Sequence, residues 1–565
     1  MDPKKLRSRE WFDGTSYEAM VRRSWLRSEG FTAAVFDNKP VVGICNSWSE
    51  LNNCNVHLRQ LSEAVKRGVW AAGGFPLEFP TISLGEVFIR PTTMLFRNLM
   101  AMDVEEMIRA NPIDGVVLLA GCDKTTPAQL MGAASADLPA IMVTGGPMLA
   151  GHWRGNRLGS GTDGRKYFQE LRAGRLGEEE WSEIEGCISR SAGHCTVMGT
   201  ASTMASMAEA LGMSLPGSAA IPAVDSRRYQ LAEASGRQIV EVIGQGLRPS
   251  RIMTRAAFEN AITADMAIGG STNAVVHLVA IAGRLGLELP LSVFDRISRR
   301  TPWVADVKPS GQHLMEDFFH AGGLPAVMKQ IEPLLDGTAL TVTGLPLAEN
   351  LRAAPAGDRR VIRTLEQPLS AEGGTAILHG TLAPQGAVIK QSAASPRLLI
   401  HRGRALVFAN YEQLKARIDD PALEVDENTV LVLQNAGPVG GPGMPEWGHL
   451  PIPARLLKKG VDDLVRISDA RMSGTSFGTV VLHVAPESAV GGPLALVQTG
   501  DEILLDVPAR RLDLCVPEEE LPRRRALWQP PAPHYNRGYG KMFLDHVTQA
   551  NLGCDFDFLR ATLSS

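Results

Sequence analysis

The sequence predicts an α/β protein of two domains: an N-terminal three-layer α/β/α domain with a mainly parallel sheet over residues 1–360, and a smaller C-terminal β-barrel-like domain over 361–565. Three observations predict it. A chain of 565 residues is too long for one ordinary hydrophobic core. From residue 30 to about 350, short β-rich apolar runs alternate with longer helix-like stretches, and strand, helix, strand in repetition makes a parallel sheet covered by helices on both faces. Past about residue 350 the texture becomes short strand-like runs with turn residues, the pattern of a β-rich domain.

The elements follow in order. "KPVVGICNS" reads as a strand. "NVHLRQLSEAVKRGVWAAGG" reads as a helix, because Leu58, Leu61, Val65 and Val69 recur at helical spacing and glycines close it. "DVEEMIRANP" is a helix leading into the strand "IDGVVLLAG", and "PAIMVTGGP" is the next strand. "GTASTMASMAEALGMSLPG" (199–217) is a helix whose small side chains allow close packing. "AENLRAAPAGDRR" is a polar connector, and the domain boundary is expected near 360. Beyond it come "GGTAILHGTLAPQGAVIK", "RGRALVFAN", "NTVLVLQNAGPVGGPG", "TVVLHVAPES" and "DEILLDVPARRLDLCV", each read as strand and turn.

The totals exclude several classes. A hydrophobic fraction of 44% and a charged fraction of 21% fit a soluble globular protein. Net charge is −4 with no long basic run, so neither nucleic acid nor a membrane surface is an expected partner. "MDPKKLRSREWFDG" lacks the apolar core of a signal peptide, and no apolar stretch nears the roughly 18–20 residues that span a bilayer. A cytoplasmic protein is expected. Its seven cysteines form no CxxC pair, and in a reducing compartment they are expected as packed thiols or ligands, not disulfides.

"VVLLAGCDKTTPAQL" poses the functional question. A strand ends at Gly121, followed by a thiol, a carboxylate and an amine: Cys122, Asp123 and Lys124. Ligands of open α/β sheets bind beyond the carboxyl ends of strands; the ordinary alternative is a buried thiol beside an ion pair. Cys54 follows a polar turn after a strand, and Cys195 precedes the small-residue helix, where a helix N-terminus favours thiolate. The gaps of 68 and 73 residues fit no compact zinc or ferredoxin spacing. If the three thiolates hold an iron–sulfur cluster, one ordinary ligand is missing, and the open iron can act as a Lewis acid. Glu86, Asp123 and Glu446 lie in rigid loops suited to a hard ion such as magnesium. Lys124 could join them only after losing its charge, for example as a carbamate. Ser473 and Thr475 sit in a glycine-flanked turn before a strand, with no G-x-S-x-G, Walker A or dinucleotide fingerprint. No cluster of Arg and Lys flanks these loops in sequence.

"CNSWSELNNCN", "GCDKTTPAQLMGA", "SAGHCTVMGTASTMA", "GGSTNAVVHL", "GPVGGPGMPE" and "DARMSGTSFG" together resemble the motifs, in order, of the dihydroxy-acid and 6-phosphogluconate dehydratase family, over almost the whole chain. The resemblance implies a hydro-lyase that turns a 2,3-dihydroxy acid into a 2-keto-3-deoxy acid. It implies a 2Fe-2S cluster on Cys54, Cys122 and Cys195, and Mg2+ on Glu86, Asp123, Glu446 and a carbamylated Lys124. Ser473 would be the general base and Thr475 its neighbour in the pocket. The segment "WQPPAPHYNRGYGKMFLDHVTQANLGCDFDFL" (528–559) and "FPTISLGEVFIRPTTM" resemble the sugar-acid branch, acting on L-arabinonate, D-xylonate and related aldonates. The family implies a homodimer or homotetramer. Rival expectations are a dihydroxy-acid dehydratase of branched-chain synthesis, an enzyme accepting both substrates, a non-catalytic cluster-bearing relative and a zinc-binding structural protein. Cys45, Cys187, Cys515 and Cys554 are expected to be packed thiols.

Overall fold

A computed structural model describes residues 5–561. The N-terminal part opens with β1 (Val41–Asn46), α1 (Leu58–Ala71), β2 (Phe75–Pro80), α2 (Met94–Ala110), β3 (Gly115–Ala120), α3 (Thr125–Ala136) and β4 (Ala140–Thr144). All four strands are parallel, in the order β2-β1-β3-β4. The chain moves one way from β1 to β2 and the other way from β2 to β3 and β4. Right-handed crossovers therefore put α1 on one face and α2 and α3 on the other. Every residue of β1, β3 and β4 is buried, which is why they read as unbroken apolar runs, whereas the edge strand β2 alternates after its first two residues.

α4 (Thr162–Arg172), α5 (Thr200–Ala210) and α6 (Ser226–Gln245) follow. α6 lies against α1 at backbone distance: a Cβ on Gly68 would stand 2.0 Å from the Glu233 carbonyl oxygen, and one on Gly236 2.2 Å from that of Val65. Two helices differ from the sequence expectation. α2 begins at Met94, well before "DVEEMIRANP". Its first turns carry the buried Arg97 and Asn98 among apolar residues, so they show no amphipathic stripe. α5 stops at Ala210, because Gly212 turns the chain at φ +83°.

The C-terminal part contains β5 (Ala376–Leu378), β6 (Gly386–Ile389), β7 (Ile400–Phe408), β8 (Val430–Leu433), β9 (Arg466–Ser468), β10 (Val480–Ala485), β11 (Glu502–Asp506) and β12 (Arg511–Cys515). They form one eight-stranded sheet in the order β12-β11-β7-β8-β9-β10-β6-β5. The four strands β7 to β10 run parallel, and the flanking pairs are antiparallel. The two edges meet just past β5. His379 donates its N–H to the Arg510 carbonyl at 2.9 Å and accepts from the Leu512 N–H at 2.9 Å, bringing the sheet close to a closed barrel. Val432, Ile467, Val481, Ile503 and Leu512 share one of its apolar clusters.

The C-terminal segment returns to the N-terminal part. Arg97 of α2 donates to the Gly553 and Cys554 carbonyls, each at 2.9 Å, and Arg284 pairs with Asp555 at 2.6 Å. Among the described residues no helix is long and apolar enough to cross a membrane.

Candidate functional site

β3 delivers Cys122, Asp123 and Lys124 into the two-part interface. Gly121 is what lets a second strand exit reach them. A Cβ at 121 would sit 2.2 Å from the Cys54 carbonyl oxygen, so only glycine allows the loop after β1 to lie so close. Cys54 and Cys122 share a side-chain hydrogen bond; that bond, burial and the neighbouring charges of Cys122 and Cys195 push the Cys54 thiol well up. Cys195 is pushed up to about 11, first by burial and then by Cys122 and Asp123, with Ser160 opposing. The structure thus brings the three thiols together. It corrects one expectation: Cys195 is not made acidic by a helix end, because α5 starts five residues later, at Thr200, and burial dominates. The other four cysteines lie apart and are free thiols, Cys554 packing its sulfur 3.4 Å from that of Met444.

Next to the thiols stands an oxygen cluster. Glu86, Asp123 and Glu446 each offer a carboxylate oxygen, all within 4.8 Å of one another. Glu86 comes from the loop after β2 and accepts from Thr92 Oγ1 at 2.8 Å and from both the backbone and the hydroxyl of Thr93. Glu446 comes from the barrel, in a short 3-10 turn after the glycine-rich stretch 437–443. Lys124 is fully buried, with its Nζ 2.6 Å from Asp123, 3.6 Å from Glu86 and 3.8 Å from Glu446. Burial and the Arg471 charge pull its pKa down, but the three carboxylates outweigh them and hold it above the ordinary lysine value. For Asp123, burial is outweighed by Lys124 and Arg471, which keep its carboxyl below the usual range. Glu446 is raised, chiefly by burial and then by Glu86. The donor sets fit the expected groups: three soft sulfurs suit iron, three hard oxygens suit a divalent ion such as magnesium, and Cys122 and Asp123 join the two sets in one peptide.

The barrel supplies the third component. Ser473 Oγ and Thr475 Oγ1 are 3.0 Å apart in the turn before β10. This turn is clamped from the N-terminal side. Thr162 Oγ1 donates to the Thr475 carbonyl at 2.7 Å, and Asn273 Nδ2 donates to the Met472 carbonyl at 3.1 Å. Glycines permit the approach: a Cβ on Gly474 would lie 2.4 Å from the Thr200 nitrogen, and one on Gly161 2.6 Å from Thr475 Oγ1. The turn therefore rests on the segment that runs from Cys195 into α5.

Several residues here escaped the sequence reading. Arg471, fully buried, donates to Glu446 Oε1 at 3.3 Å and to Thr92 Oγ1 at 3.0 Å, tying the barrel to the Glu86 loop. Arg165 of α4 feels the charges of Glu446 and Cys195. His57, whose Nε2 faces the Gly145 carbonyl at 2.8 Å, is pushed down to about 4 by burial and stays neutral behind Cys54. The two arginines are scattered in sequence and converge only on folding. Arg471 had one usable signal, its place inside "DARMSGTSFG"; Arg165 had none.

The N-terminal profile of the dihydroxy-acid/6-phosphogluconate dehydratases matches residues 39–350, and their C-terminal profile matches residues 360–554. An L-arabinonate dehydratase of Rhizobium leguminosarum bv. trifolii is 54% identical over 560 residues, covering 99% of this chain and 97% of the relative. An L-arabonate dehydratase of Azospirillum brasilense is 56% identical over 567 residues, covering 99% and 97%. A 6-deoxy-6-sulfo-D-gluconate dehydratase of Pseudomonas putida is 52% identical over 560 residues, again covering 99% and 97%.

Proposed function

The chain belongs to the dihydroxy-acid/6-phosphogluconate dehydratase family, and from that premise we propose that it is a hydro-lyase removing water from a sugar acid, an aldonate such as L-arabinonate or D-xylonate, to give the 2-keto-3-deoxy acid. The observation that carries this reading is the meeting of three thiols, three carboxylates and the Ser473–Thr475 pair where β3 faces the barrel. The names and full-length similarity of the L-arabinonate and L-arabonate dehydratases support an aldonate as the substrate.

Cys54, Cys122 and Cys195 would hold a 2Fe-2S cluster, and Glu86, Asp123 and Glu446 a magnesium ion. When bound, the two supply Lewis acidity to the substrate's carboxylate and hydroxyl oxygens. Lys124 is the amine that carbon dioxide would convert to a carbamate, releasing a proton and turning a cation into a fourth oxygen ligand. Ser473 Oγ, as the alkoxide, takes the proton from C2 and passes it to the departing C3 hydroxyl, which leaves as water and restores the alkoxide; the enol formed between C2 and C3 then tautomerises to the ketone. Thr475 Oγ1, at 3.0 Å, holds Ser473 in place by hydrogen bonding. Arg471 keeps Glu446 and the Glu86 loop in register. In this reading the enzyme is a cytoplasmic homodimer or homotetramer.

The test is keto acid formation from an aldonate by anaerobically purified protein, with and without magnesium. Formation of the 2-keto-3-deoxy acid that stops on chelation is expected. No keto acid from any aldonate, with iron, sulfide and magnesium all present, refutes the reading.

A further inference from the structure

One cation in the site has no partner. Buried arginines elsewhere each have side-chain partners, even where an Nε is left over: Arg97 the Gly553 and Cys554 carbonyls, Arg228 those of Thr144 and Ile221, Arg284 Asp555. Arg165 makes no side-chain hydrogen bond or ion pair among the described residues, although its Nε is buried. Leaving a guanidinium nitrogen buried and unpaired costs free energy unless an anion arrives to meet it.

The geometry says which anion. α4 enters the site at Gly161, whose φ of +84° and missing Cβ leave room for Thr475. Its first turn is fixed twice: Thr162 bonds the Thr475 carbonyl at 2.7 Å, and Asp163 pairs with Lys308 at 2.7 Å. Arg165 lies on the next residues of that pinned turn, its backbone N–H donating to the Gly161 carbonyl at 3.0 Å. Glu446 of the oxygen cluster and Cys195 of the thiol cluster are the charged groups acting on it. Glu446 does not answer it, being engaged by Arg471 at 3.3 Å and lying 3.8 Å from Lys124. The turn that carries Arg165 is thus docked on the Ser473–Thr475 turn, and one charged group of each ligand set acts on its guanidinium.

We infer that Arg165 is a substrate-binding residue that receives the carboxylate of the sugar acid and orients C2 and C3 between the two ligand sets. The inference rests on the proposed dehydratase reading. A planar, permanently charged fork suits a carboxylate better than a lysine would.

The experiment compares wild type, Arg165→Lys and Arg165→Ala, each purified anaerobically, on four-, five- and six-carbon aldonates. Iron, sulfide and thermal midpoint are measured beside kinetics. Arg165→Ala is expected to keep its iron and sulfide and to lose about 10- to 100-fold in kcat/KM, the size of a charge-assisted hydrogen bond. Most of the loss falls in KM, the factor is the same for all chain lengths, and added guanidinium restores part of the rate. Calorimetry with the five-carbon 2-keto-3-deoxy acid product shows the same weakening. Arg165→Lys falls between the two. Rates within twofold of wild type overturn the inference. So does a penalty that vanishes on the four-carbon acid, which would put Arg165 at the far end of the substrate. Loss of iron in both variants makes the residue structural and overturns it too. A wild-type enzyme that dehydrates no aldonate instead overturns the function on which the inference stands.

Discussion

Gly121→Ala tests how the thiol site is built. The residue has no positive φ, so adding a methyl group costs nothing in backbone conformation; the effect is steric. The new Cβ would stand 2.2 Å from the Cys54 carbonyl oxygen and 2.8 Å from Asn55 Oδ1, where real Cβ contacts start near 3.0 Å. The obstacle is backbone, so the Cys54 loop must retreat by about 0.8–1 Å, and overpacking of this kind costs about 1–3 kcal/mol. A domain of this size tolerates that loss, but a cluster ligand displaced by about an ångström does not hold its metal with fixed geometry. The expected result is a folded protein with slightly lowered thermal midpoint, strongly reduced iron and sulfide per chain, and matching loss of activity. Gly186→Ala is the control: it lies in the helix Glu178–Ile188 with nothing within 4 Å of its Cβ, and should be neutral or slightly stabilising. A Gly121→Ala protein with full iron, full sulfide and wild-type turnover would refute the reasoning.

Other outcomes follow from the same geometry. Ser473→Ala should lower kcat by about 10²- to 10⁴-fold while the visible absorption of the cluster stays, because the base is removed and the thiols are not; full activity would remove Ser473 from the mechanism. Glu446→Gln should weaken magnesium binding measured by titration calorimetry and leave iron content unchanged. Lys124→Gln should abolish activity, and carbon-13 bicarbonate should label wild type, but not the variant, with a carbamate signal in NMR. Glu209, buried and accepting from the Gly217 and Ala219 backbones and from Ser218, has its pKa raised to about 7, chiefly by burial. Its folded form holds a proton that the unfolded chain has released, so it makes stability fall as pH rises from about 4.5 to about 7. Glu209→Gln should flatten the thermal midpoint over that window; an unchanged slope would contradict the assignment.

Much of the N-terminal fold was legible because its strands are buried on both faces and its helices are not. Val116–Ala120 could only be an interior strand, and Leu58, Leu61, Val65 and Val69 could only line one helix face. The same rule explains the miss at α2, whose first turns are buried on several sides and show no period. In the barrel the strands were readable and their direction was not, since parallel pairing of β7 to β10 depends on connections, not on residue alternation. Closure through His379 is made by backbone groups and leaves no mark in sequence. The site divided in the same way. Cys122, Asp123 and Lys124 are neighbours in the chain, so their adjacency needed no structure. Glu86 and Glu446 singly looked like ordinary surface acids, and Ser473 like an ordinary turn residue; their motifs pointed to them, while their convergence came with the fold. Arg165 and Arg471 lie far apart in sequence; Arg471 sits inside the motif "DARMSGTSFG", whereas no local pattern singles out Arg165.

The most direct test of the central claim is a competition assay with anaerobically purified, magnesium-loaded protein, offering L-arabinonate, D-xylonate and 2,3-dihydroxyisovalerate together and identifying the keto acids formed. The account predicts that a 2-keto-3-deoxy sugar acid accumulates first and in excess. Exclusive formation of 2-ketoisovalerate would contradict it.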